Sequence, residues 1–155
     1  MSGLIQILAA LAGSCGFALL YNHKKWNILF ATLGGGLTWG VYLLCALFTE
    51  DVFVLNLISS LFAALYSEVM ARIRKAPVTA FVMNSIIPLV PGGSLYYAMR
   101  YLITEQNDLA VSSGLDALLA AGGIAVGIVI VSVIFKYVTR LAELIGKEGA
   151  KNGGK

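Results

Sequence analysis

Five long apolar blocks constrain this chain more than any other feature, at residues 4–21, 28–48, 52–71, 78–104 and 115–137. The hydrocarbon core of a bilayer takes about 20 residues of helix, within a range of roughly 17–25. Each block reaches that length. Helix is the form open to such blocks, because an isolated strand leaves its backbone groups unpaired in lipid. The expected fold is an all-α integral membrane protein with about five transmembrane helices. Composition agrees. Of 155 residues, 59% are hydrophobic and only 12% charged, about half of the roughly 25% that a soluble domain carries.

Residues 1–138 form the expected transmembrane domain. Residues 139–155 form a Lys-, Glu- and Gly-rich tail. No Lys or Arg precedes Lys24, whereas a secretory signal carries a positive region before its apolar core. The first block is therefore expected to be a retained span.

Five spans put the loops alternately on opposite sides. One side receives Lys24, Lys25, Arg72, Arg74, Lys75, Lys136, Arg140, Lys147, Lys151 and Lys155. The other side receives Arg100, with Glu50, Asp51, Glu105 and Asp108. Cytoplasmic loops collect Lys and Arg, so the expectation is a multi-pass membrane protein with a fixed orientation. Its N-terminus would be outside and its C-terminus cytoplasmic. Trp26 and Tyr137 stand at block ends, as interfacial aromatics do. Small residues recur at spacing four in Ala9/Gly13, Gly36/Gly40 and Gly123/Gly127, a pattern that lets helix backbones approach closely.

Several function classes fall away. The basic residues lie in short runs between apolar blocks, not on one polar face interleaved with aromatics, so no nucleic acid is expected as partner. Cys15 and Cys45 lie inside apolar blocks and read as small packing residues. No cysteine–histidine cluster points to a metal, and no glycine motif points to a phosphate cofactor. The lone histidine, His23, sits in the basic loop. No catalytic constellation can be assembled from it, so neither an enzyme nor a cofactor is expected.

The fourth block carries the most information. Its middle reads Asn84-Ser85-Ile86-Ile87-Pro88-Leu89-Val90-Pro91-Gly92-Gly93-Ser94. Each proline removes a donor and clashes with the carbonyl four residues earlier, so the helix is expected to break at Pro88 and Pro91-Gly92-Gly93. Broken backbone at membrane depth persists only against protein or a water-filled cavity, and transporters build substrate sites from such helices. The half-helix beginning near Ser94 would offer free N–H groups and a positive dipole end to a carboxylate, with Ser94 as a candidate N-cap. Asn84, Ser85, Pro88, Pro91, Gly92, Gly93, Ser94, Tyr96 and Tyr97 are the candidate substrate-binding residues. A proline kink or re-entrant turn that serves packing alone is the competing reading.

Two carboxylates are candidates for ion coupling. Glu68 sits toward the basic end of the third block, where pairing with Arg72, its i+4 neighbour, is the plainer explanation. Asp116 opens the fifth block, and Ser113-Gly114-Leu115-Asp116 reads as a capping box with Asp in the Glu position. Asn56, Ser59 and Ser60 are expected to hydrogen-bond between helices, with lining a pathway as the other reading.

The motif Pro88-Leu89-Val90-Pro91-Gly92, followed by Tyr96, resembles the Pro-x-x-Pro-Gly signature of the threonine/serine exporter family. The closest likeness is to the short, separately encoded subunit that corresponds to the C-terminal membrane half of the full-length exporter. Phe17-Ala18-Leu19-Leu20-Tyr21-Asn22 also resembles the end of that family's first helix. The resemblance implies an exporter subunit for small carboxylate-bearing metabolites, either threonine and serine or a dicarboxylate such as succinate. It implies a larger partner subunit with a cytosolic domain and its own spans. The other readings are a self-sufficient homo-oligomeric channel or small transporter, and a membrane subunit that transports nothing.

Overall fold

The computed structural model describes residues 3–21 and 25–152. His23 and Lys24 lie outside the described residues. The elements are α1 (Gly3–Leu20), α2 (Lys25–Cys45), α3 (Val52–Arg74), α4 (Val78–Ile86), a 3-10 turn (Ile87–Leu89), α5 (Gly92–Ile103) and α6 (Asn107–Asn152).

Local chemistry sets the boundaries. The Asp51 carboxylate accepts from Phe53 N at 2.9 Å and Val54 N at 3.1 Å, which caps α3. At the far end Lys75 turns left-handed at φ 50°, and Ala76 N donates to Ala71 O at 3.1 Å. Pro77 then opens α4 at its N-cap position, where no backbone donor is missed. A second left-handed residue, Glu105 at φ 59°, reverses the chain between α5 and α6.

Neighbouring contacts fix the helix directions. Gly36 meets Leu11 and Gly35 meets Ser14, while Gly3 meets Leu43, so α1 and α2 are antiparallel. Asn27 accepts from Arg74, and Phe30 O accepts from Tyr66, so α2 and α3 are antiparallel too. Along α3 and α6 the pairs run Phe53 with Gly123, Ser60 with Gly127 and Arg72 with Thr139. Both numbers rise together, so α3 and α6 are parallel. The chain between them must therefore return across the bilayer. Val78–Leu89 and Gly92–Ile103 do this as one span bent by 47°. A re-entrant loop would have left α6 antiparallel to α3. The described residues thus hold five crossings, as the apolar blocks predict.

Two boundaries depart from expectation. α6 starts at Asn107, eight residues before the expected span, and its 46 residues continue to Asn152. Gly114 costs a helix about 1 kcal/mol, but packing of this stretch against α5 outweighs that. Asp116 therefore lies ten residues inside α6 and does not sit in a capping box. In α5 the N-cap position belongs to Pro91, with Ser94 inside the first turn, so Ser94 is no N-cap.

Candidate functional site

The break arises residue by residue. Pro88 has no N–H, so the carbonyl of Asn84, four residues earlier, loses its helical donor. The Ser14 hydroxyl of α1 donates to that carbonyl at 3.3 Å. Pro91 similarly frees the Ile87 carbonyl, which accepts from Val90 N at 3.2 Å and tightens the segment into a 3-10 turn. Gly92 N donates to Val90 O at 2.7 Å, and Leu95 N to Pro91 O at 3.1 Å. The amides of Gly93 and Ser94 meet no acceptor among the described residues. They are the orphan donors of a helix start.

Glycines bring α2 against this junction. A Cβ on Gly34 would run into Ser85 Oγ and approach Tyr66 Cε1 at 2.8 Å. One on Gly35 would run into Ser14 Oγ and stand 3.2 Å from the Asn84 carbonyl. Ser14, Asn84 and Ser85 are fully buried. Asn84 spends its amide on Ala80 O at 3.2 Å. Among the described residues its Oδ1 and the Ser85 hydroxyl have no partner, and neither do Thr38 Oγ1 and Trp39 Nε1 on α2. An unsatisfied buried polar group costs about 1–3 kcal/mol. Asn84 Oδ1 and Ser85 Oγ stand directly beside the break. An open cleft of about 290 Å³ lies alongside, lined by Gln6, Ala9, Trp39 and Pro88.

The expected site residues thus fall into two groups. Asn84 and Ser85 lie buried with Ser14 against the Gly34-Gly35 face of α2, with half-buried Tyr66 beside Ser85 and Trp39 beside Pro88. Gly92, Gly93, Tyr96 and Tyr97 are exposed along α5, with Pro91 and Ser94 half-buried beside them. Tyr96 and Tyr97 pack edge to face at 5.5 Å. Sequence reasoning missed Ser14, Thr38, Trp39 and the Gly34-Gly35 pair. The run of three glycines in α2 was the available signal.

The two candidate carboxylates stand apart. Glu68 is buried and paired with Arg72, as the i+4 spacing predicts. Asp116 is half-buried and has no partner among the described residues. α5 and α6 form a packed hairpin across a three-residue turn, so residues equally far from that turn share a height. Asp116 and Ser94 are each nine residues away from their own end of it. The polar stripe of α3 is mostly self-satisfied. Asn56 Nδ2 donates to Val52 O, Ser59 to Leu55 O and Ser67 to Ala63 O. Ser60, which also donates to Leu57 O, reaches another helix at Gly123 O. This corrects the expectation of bonding between helices for Asn56 and Ser59.

A multi-pass helical membrane protein with an interrupted span is the class that this geometry defines. The profile of the threonine/serine exporter family, ThrE, matches residues 6–134, and the chain belongs to that family. No curated protein and no solved structure matches it. The chain is thus a membrane component of the threonine/serine exporter type.

Proposed function

We propose that this chain is one half of a heteromeric secondary exporter for small carboxylate-bearing metabolites, either threonine and serine or a dicarboxylate such as succinate. It acts in the plasma membrane, N-terminus outside and C-terminus cytoplasmic. A larger subunit with a cytosolic domain and its own spans completes it. The observation that carries this reading is the set of unpartnered buried atoms, Asn84 Oδ1 and Ser85 Oγ, beside the Pro88–Pro91 break. Asn84 Oδ1 accepts from the ammonium or hydroxyl group of threonine or serine, and the Ser85 hydroxyl donates to a substrate hydroxyl or, in a dicarboxylate, to the second carboxylate. The free N–H groups of Gly93 and Ser94, at the positive end of α5, suit its carboxylate. Pro91, Gly92, Tyr96 and Tyr97 complete the path.

An odd number of spans inverts one half relative to a similar half. That is the plan on which many secondary transporters hold substrate between repeats. α1 buries only Ser14 and Ala18 along its length. A groove of about 730 Å³ between α1 and α2, lined by Leu33, Leu37, Val41, Leu44 and Phe62, is left for the spans of a partner. Of the two carboxylates, Asp116 is the better coupling group, because Glu68 already has its cation. Export is driven by the proton-motive force through Asp116.

The test is export of threonine, serine and succinate from cells that carry this chain with and without the larger subunit. Export of at least one of them only when both are present is the expected result. A tagged chain that purifies with copies of itself alone, and still exports, would overturn the heteromeric reading.

A further inference from the structure

A second polar site lies well away from the break. At the basic ends of α3 and α6 an open cleft of about 370 Å³ is lined by Glu68, Arg72, Ser132, Phe135, Lys136, Thr139 and Arg140. Three cations face one carboxylate there. Arg72 donates to Glu68 and, at 3.4 Å, to Thr139 Oγ1, and its guanidinium lies 4.6 Å from the centre of the Phe135 ring. These contacts fix Arg72 in place. Lys136 and Arg140 stand one helical turn apart on α6 and are exposed, with no acidic partner among the described residues. The cleft therefore carries excess positive charge on a rigid frame.

We propose that this cleft binds the headgroup phosphate of an anionic phospholipid. Arg72, Lys136 and Arg140 supply the charge, and the Ser132 hydroxyl supplies a further donor. The surface beside the cleft selects a lipid over a free anion. Val69 and Ile73 on α3, and Val133 and Tyr137 on α6, expose 41%, 62%, 45% and 64% of their surfaces on the same helical turns. Acyl chains cover such a surface, whereas a small soluble anion leaves it bare. Basic pockets between membrane helices hold anionic headgroups by this combination of charge and apolar surface. A lipid here clamps α3 to α6 at the end away from their glycine contacts.

The test uses the full chain in nanodiscs of phosphatidylcholine containing a titrated fraction of phosphatidylglycerol, with bound lipid read by native mass spectrometry. Phosphatidylglycerol is expected to be retained in preference to phosphatidylcholine. Each basic residue near a membrane surface is worth about fivefold in affinity, so Lys136→Gln with Arg140→Gln should weaken retention about 25-fold. Both residues are exposed, so helix content by circular dichroism should stay unchanged. Arg100→Gln, at the opposite end, should retain the lipid as the parent does. Equal retention of the two lipids would overturn the proposal, and so would a double variant that binds like the parent. Displacement by millimolar inorganic phosphate or succinate would overturn it in favour of a free-anion site.

Discussion

The contact of α3 with α6 and the contact of α2 with α4 use the same residue types to opposite ends. Gly123 and Gly127 let α6 meet the α3 backbone, where a Cβ on Gly123 would stand 2.6 Å from Phe53 O. The buried serines of α3, Ser59, Ser60 and Ser67, all return their hydroxyls to α3 carbonyls. At α2 and α4, Gly34 and Gly35 allow an equally close approach, yet Asn84 Oδ1, Ser85 Oγ and Thr38 Oγ1 go unpaired. The first contact is finished within the chain, whereas the second leaves side-chain atoms unpaired among the described residues. Pro88 also removes a backbone donor from α4, whereas the ladder of α3 is unbroken.

Substitutions can break this contrast. Gly127→Val should have the largest effect, because a branched side chain there meets Ser60 and the Leu57 carbonyl, 3.0 Å from the first added carbon. A loss of about 1–3 kcal/mol is expected, read as a lower midpoint of thermal unfolding in detergent. Asp116→Asn should leave that midpoint in place and lower export about tenfold, measured in cells. Glu68→Gln should preserve export. It removes an ion pair whose arginine is half exposed, so its cost should stay under about 1 kcal/mol. Ser67→Ala should be the mildest, at no more than about 0.6 kcal/mol, with export unchanged. A Ser67→Ala chain that folded normally and failed to export would erase the distinction between the two contacts.

Much of this architecture was legible in the sequence. Block lengths gave five crossings, and Pro88 and Pro91 located the broken one. The Glu68–Arg72 spacing gave its ion pair. The start of α6 was hidden because Ser112-Ser113-Gly114 reads locally as a stop, while packing against α5 carries the helix through it. Of the spaced small pairs, Gly123/Gly127 meets backbone. Gly13 and Gly40 face open space, since spacing identifies a face but not what lies opposite. Ser14 and Gly34-Gly35 were missed for the same reason. Their role depends on a carbonyl 70 positions away in sequence from Ser14. Tyr96 and Tyr97 lie close to Asn84 in sequence, but the 47° bend carries them onto the exposed face of α5.

The central claim is that the unpartnered atoms beside the break are kept for the substrate. Asn84→Leu and Ser85→Ala test it when unfolding and export are measured on the same variants in the assembled complex. Ser85→Ala removes a buried hydroxyl that lacks a partner, which is close to neutral for stability, so its unfolding midpoint should hold or rise; Asn84→Leu also gives up the Nδ2 bond to Ala80 O and should cost about 1 kcal/mol. Export should fall about tenfold or more, as expected for lost hydrogen bonds to a charged ligand. Variants that unfold normally and export at the parent rate would contradict the account.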